Sequence, residues 1–386
     1  MTTARVLALV ASLFAITAHA QTEIIGEGVD RPITNPAGLT VCNGTLYAVD
    51  ALGASQITSG KIRSLNLVTG LYRTVTSGLN LPTDIACGPA GVLYVSETSG
   101  NKIRKVNADG TLDSSPVALA TAPRGLAMFG TTLLWANWDS NGTMPNSVFA
   151  LANGTPERFA GTGAWSSAGD GGLAVDAGLR NPWGLAYDAA GGNVYIIEMN
   201  GNKVRRVNGT TRIISTLGGN GYAGPGIPTG PVSGAQFYAP TFAEMVGKDL
   251  YVSDTQNARV RRIANVTDNG SNAIVSTFIS VAATGIASDA TSLFVSVPSL
   301  QRVFSYPLPG VTPQPTSTAM PLPSATHTNT VQPTATRTDT PQPQATSTQT
   351  SAPASPTPTS GANPICSELS QAAAKIDNAM HFAGCP

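Results

Sequence analysis

Apolar residues along this chain come in short runs broken by Gly, Asn, Asp and Pro, not in the long stripes of amphipathic helices. The most regular run is an apolar residue, an aromatic or Leu, two mostly small apolar residues and usually an acid or amide. It occurs as Leu46-Tyr-Ala-Val-Asp50, Leu93-Tyr-Val-Ser-Glu97, Leu133-Leu-Trp-Ala-Asn137, Val194-Tyr-Ile-Ile-Glu198, Leu250-Tyr-Val-Ser-Asp254 and Leu293-Phe-Val-Ser-Val297, the last without its acid. Each is preceded by a second run, opened by Pro in five copies: Pro36-Ala-Gly-Leu-Thr40, Pro82-Thr-Asp-Ile-Ala86, Pro123-Arg-Gly-Leu-Ala127, Pro182-Trp-Gly-Leu-Ala186 and Pro240-Thr-Phe-Ala-Glu244, with Ala283-Thr-Gly-Ile-Ala287 as the sixth. A third run often follows, clearest as Asn101-Lys-Ile-Arg-Lys-Val106, Asn202-Lys-Val-Arg-Arg-Val207 and Ala258-Arg-Val-Arg-Arg-Ile263.

Runs this short, rich in Val, Ile and Tyr and separated by turn residues, predict strands joined by hairpins. A period of roughly 40 to 60 residues with about four strands per unit predicts an all-β fold, a six-bladed β-propeller over residues 21–307. The sixth unit runs out of chain after its third strand, Gln301-Arg-Val-Phe-Ser-Tyr306. The spare strand is Thr22-Glu-Ile-Ile25, and pairing the two closes the ring and covers an exposed edge.

Outside that body the pattern changes. Residues 1–20 combine Arg5, the apolar run Val6 to Ile16 and Ala18-His19-Ala20, the makings of a secretory signal peptide, so the mature chain is expected to begin at Gln21 and be secreted. No other stretch is long and apolar enough for a membrane span. Residues 308–363 are Pro, Thr, Ser, Gln and Ala with little to bury, which predicts a disordered, extended linker. Residues 364–386 place Leu369, Ala372, Ala373, Ile376 and Met380 on one helical stripe between Cys366 and Cys385. An unbroken helix of ~17 residues holds its ends ~25 Å apart, too far for a disulfide. Either the helix bends near Asp377-Asn378 and the cysteines pair in a small helical tail, or they do not pair with each other.

The repeats resemble the NHL-repeat β-propellers. The segment Phe159 to Tyr187, containing Gly169-Asp-Gly-Gly172, and its continuation Asn193 to Val207 look like the variant whose blades are joined by a Gly-Asp-Gly-Gly loop. Asn101, Asn202 and Ala258 stand where the family's eponymous His would be.

The residue inventory limits the chemistry. The three histidines, His19, His327 and His381, all lie outside the propeller segment, so a Ser-His-Asp triad, a Cys-His pair and a His-ligated zinc are absent from it. Lys+Arg and Asp+Glu number 22 each and only 11% of residues are charged, which argues against nucleic acid as partner and against a charge-driven disordered chain. Cys42 and Cys87 hold near-equivalent places in adjacent blades and are expected to bridge them, buried free thiols being the alternative. The row Asp50, Glu97, Asn137, Glu198 and Asp254 ends the second strands, where each can accept N–H bonds from the next turn. The alternative is that some converge on calcium, as in six-bladed hydrolases of the lactonase type. Lys and Arg on the third strands are expected to lie along the blades with their heads in water.

The residue after each first-strand Pro enters the pore rim. Among them, Arg124 and Trp183 in adjoining blades suit an anionic or sugar ligand. Trp138 and Trp165 on neighbouring loops, with Thr83 and Thr241 at the rim, extend that surface. The function expected is a secreted, non-catalytic binding scaffold, a monomeric propeller that recognises a protein or glycan partner through its loop face and needs no cofactor. A calcium-dependent hydrolase is the alternative.

Overall fold

The computed structural model describes residues 21–51, 59–107, 109–119, 122–138, 146–267 and 272–310. The expected signal peptide, nearly all of the expected linker, and the expected helical tail with Cys366 and Cys385 lie outside them. Among the described residues no helix is long and apolar enough to cross a membrane.

Strand β1 (Thr22–Ile25) stands alone at the start of the chain. Blade 1 is β2 (Pro36–Cys42), β3 (Thr45–Asp50), β4 (Gly60–Asn66) and β5 (Tyr72–Leu79), and blade 2 is β6 (Pro82–Cys87), β7 (Leu93–Glu97), β8 (Lys102–Val106) and β9 (Ala118–Leu119). Blade 3 is β10 (Pro123–Phe129), β11 (Thr132–Asn137), β12 (Ser147–Ala152) and β13 (Thr155–Ala160), and blade 4 is β14 (Pro182–Asp188), β15 (Asn193–Glu198), β16 (Lys203–Asn208) and β17 (Ile214–Gly218). Blade 5 has an unexpected extra outer strand: β18 (Thr229–Pro231) pairs β22 (Ile274–Ile279) outside β19 (Ala243–Val246), β20 (Asp249–Asp254) and β21 (Arg259–Ala264). Blade 6 is β23 (Ile286–Ser288), β24 (Ser292–Val297) and β25 (Arg302–Pro307), completed by β1 in the register Thr22↔Ser305, Glu23↔Phe304 and Ile25↔Val303. The closure expected from the repeat count is therefore present, with Ile25 fully buried.

The second strands read as continuous apolar runs because neighbouring blades cover both of their faces. Every residue of β15 is buried. The inner strands approach so closely that side chains are excluded at their third position. A Cβ on Gly125 would lie 2.3 Å from the Trp183 carbonyl oxygen, and one on Gly184 equally close to that of Thr241. This is why Pro-x-Gly recurs there. Two departures, Asp84 in blade 2 and Phe242 in blade 5, stand where the other four inner strands have glycine.

Hydroxyls join the blades. Ser96 Oγ donates to the Arg124 carbonyl at 2.7 Å, and Ser296 Oγ to that of Ala37, also at 2.7 Å, across the closing seam. The Cys42–Cys87 disulfide links blades 1 and 2 with 5.7 Å between the Cα atoms. Closing a loop of 45 residues adds about 4 kcal/mol by the chain-entropy model.

Candidate functional site

Inner strands begin, second strands end and blade-to-blade loops run at one end of the meander, so these segments share a face. Arg124, the second residue of β10, enters the pore rim there. Its guanidinium carbon lies 4.2 Å from the ring centroid of Trp183, in the next blade, and 5.2 Å from that of Trp138, just beyond β11. Arg124 and Trp183 are 8% and 9% exposed, so the cation is nearly desolvated between two indoles. Among the described residues it has no salt bridge, and its Nε, like the Nε1 of Trp138 and of Trp183, has no hydrogen-bond acceptor. Burial lowers the Arg124 pKa to about 10, which leaves it charged at neutral pH. Among the described residues the rim thus holds a donor-only cluster around one unpaired positive charge.

The other expected contacts do not join this cluster. Thr83 pairs its hydroxyl with Thr98, which donates to the Pro123 carbonyl at 2.6 Å. Thr241 meets Thr255 at 2.8 Å, and Thr255 donates to the Ala283 carbonyl at 2.9 Å. Both threonines are buried and stitch blades together. Trp165 is in a separate cleft, 51% exposed, with the Arg180 guanidinium 5.7 Å from its ring.

The acid and amide row is not brought together. Asp50 accepts from the Thr34 and Asn35 amides at 3.1 and 3.0 Å, Glu97 from Asn80 at 3.1 Å, Glu198 from Arg180 at 3.0 Å and Asp254 from Tyr238 at 2.8 Å. These donors precede the first strand of the same blade, so each carboxylate fastens the loop entering its own blade; Asp254 also holds the turn that follows, accepting from Asn257 Nδ2 at 2.8 Å. A third-strand base completes each: Arg63, Lys102, Arg205 and Arg261 respectively. Asn137 holds the matching buried place in blade 3, opposite Ser147. Calcium needs six to eight converging oxygens, and one engaged group per blade does not fit it. Among the described residues no three His, Cys, Asp or Glu side chains are grouped to hold a metal.

Two of the third-strand bases depart from expectation, while Arg104, Lys105, Arg206 and Arg262 stay partly exposed. Arg205 and Arg261 are fully buried, with no head in water. Arg205 reaches Glu198 at 3.3 Å and Asp170 at 2.7 Å, the latter being the acid of the Gly-Asp-Gly-Gly loop. Burial raises the Glu198 pKa against the opposing pull of Arg205.

Two acids that the sequence reading passed over line the central channel, in a cavity of about 190 Å³. Asp84 accepts from the Leu126 amide at 2.7 Å, and its other oxygen lies where a Cβ on Gly38 would be. Glu244 accepts from Ser288 Oγ at 2.8 Å. Burial is the main cause of both raised pKa values, to about 8 for Asp84, with Glu244 adding a smaller repulsion, and to about 7 for Glu244. The signal was in the repeat: Asp84 breaks Pro-x-Gly, and Glu244 stands where the other inner strands have Ala or Thr.

No protein-family model matches the chain, and no curated protein matches it. Solved structures do. An auxiliary nutrient binding protein from Bacteroides thetaiotaomicron is 14% identical, with 74% of this chain and 75% of that one covered at a TM-score of 0.57. A counterpart from Bacteroides ovatus is 13% identical, with 74% and 75% covered and a TM-score of 0.55. A gluconolactonase from Xanthomonas campestris is 14% identical, with 78% and 93% covered and a TM-score of 0.53. Likeness at this level is one of fold, and it agrees with the sheets described above: the chain is a six-bladed β-propeller.

Proposed function

We propose that this propeller is a secreted, non-catalytic binding module of the NHL-repeat type, which recognises a protein or glycan partner through the face that carries Arg124. The observation behind this reading is the unpaired guanidinium held between Trp183 and Trp138. An uncompensated buried cation costs several kcal/mol. A partner's carboxylate or other oxyanion supplies the missing charge and the acceptors that the surrounding N–H groups lack. Tryptophan and arginine on a rigid scaffold also suit recognition, since little ordering cost is incurred on association. The Cys42–Cys87 bridge and the leader-like residues 1–20 support an oxidising, extracellular setting.

The test is binding of the full chain to arrays of acidic and neutral glycans and of peptides, beside Arg124→Gln. Hits should carry an anionic group and lose at least about tenfold in affinity in the variant, as expected for a charged hydrogen-bonded contact. Hits indifferent to Arg124→Gln would reject the site.

The second reading, a calcium-dependent hydrolase of the lactonase type, is favoured only by Asp84 and Glu244 in the channel. Thermal stabilisation by calcium that disappears in Asp84→Asn, together with lactone hydrolysis, would establish it in place of the first.

A further inference from the structure

Trp165 opens onto a cleft of about 510 Å³ over blade 4, within the range of small-ligand sites, about 300–1,000 Å³. Its walls come from three segments: the loop between β13 and β14, the turn between β15 and β16, and the loop after β17. Two aromatic rings stand open there, Trp165 and the 75% exposed Tyr222. Arg180 and Lys203 also line it, and among the described residues no acid does. The Arg180 Nε is buried without an acceptor, and Lys203 Nζ reaches only the Ser167 carbonyl, at 3.4 Å. Glu198 and Asp170 lie nearby, but both are held by Arg205, and Glu198 is fully buried. Among the described residues three cations, Arg180, Lys203 and Arg205, thus face two acids, which leaves one positive charge over.

We propose that this cleft binds an acidic sugar, a pyranose ring carrying a carboxylate. The site shares no residue with the Arg124 cluster. The apolar C–H face of the ring lies against Trp165 and Tyr222, which offer flat amphipathic surfaces with little entropy to lose. The carboxylate takes the surplus charge between Arg180 and Lys203, completing the Arg180 Nε. Ser166 and Asn220 at the wall supply hydroxyl and amide partners for the sugar hydroxyls. One surplus charge matches a single carboxylate, and the concave, small-ligand dimensions fit a sugar better than a flat protein epitope.

Isothermal titration of the full chain with tetragalacturonate, neutral galactotetraose and sodium acetate tests this. Saturable binding of the acidic oligosaccharide is expected, with the neutral one at least about tenfold weaker. Trp165→Ala and Lys203→Gln should each weaken binding by about tenfold, and Tyr222→Ala gives a second aromatic test should Trp165→Ala fail to fold. Leu71→Ala, on an exposed turn of blade 1, serves as the unaffected control. No saturable binding of tetragalacturonate, equal affinity for the neutral chain, displacement by acetate at equal concentration, or indifference to both aromatic variants would each overturn the proposal.

Discussion

Replacing Asp84 by Asn removes a carboxyl group that the fold holds protonated. Its pKa is about 8 in the native state against 3.8 in an ordinary setting, chiefly through burial in the channel, so between those values the folded chain binds a proton that the unfolded chain has lost. Stability from this group is therefore fully present below about pH 4 and falls as pH rises towards 8. At 1.36 kcal/mol per pH unit the gap is worth at most about 6 kcal/mol. Water entry and relaxation reduce that ceiling. Even a third of it, ~2 kcal/mol, shifts the midpoint of a domain this large by roughly 3 °C. Asparagine can still accept the Leu126 amide hydrogen bond and carries no charge. Wild type and Asp84→Asn should therefore unfold at similar temperatures at pH 4, and the variant should be several degrees more stable at pH 8.5. Calorimetry across that range is the assay. Parallel curves, or a variant less stable at every pH, would refute a buried, protonated Asp84.

Glu244→Gln should flatten the pH dependence in the same direction but by less, because its value rises only from 4.5 to about 7, and a double variant should be nearly flat when followed by the same calorimetry. Arg124→Met should raise thermal stability by about 1 kcal/mol or more while abolishing partner binding, since it removes an unpaired buried cation; a destabilised variant would show that the cation is compensated in the free protein. Reducing the Cys42–Cys87 bridge, or replacing both cysteines by Ser, should cost up to about 4 kcal/mol in denaturant unfolding without changing the circular dichroism of the native state.

The architecture was readable because its causes repeat. A second strand buried on both faces must be largely apolar, which recurs in all six blades, and an inner strand pressed against its neighbour favours glycine at its third position, which recurs in four, so the pattern is unmistakable. Arg124 and Trp183 were readable for the converse reason, as exceptions within a repeated position, and the structure stacks them together. What escaped was pairing across the chain. Nothing local to Arg205 announces that its head is buried against Asp170, 35 residues earlier, or that Trp165 sits with Arg180 and apart from Arg124. Asp84 and Glu244 were visible as breaks in the repeat, but their meaning depends on a channel that exists only once six inner strands face one another.

The seam between β1 and β25 makes the first strand of the propeller wait for its last. Tyr306 donates to Gln21 Oε1 at 3.0 Å, a contact between residues 285 apart. Until Pro307 has been synthesised, Ile25 has no strand to lie against and blade 6 presents a raw margin. Premature termination anywhere before that point should leave a sticky, protease-sensitive product, so the fold carries its own check that translation of the propeller has run to completion.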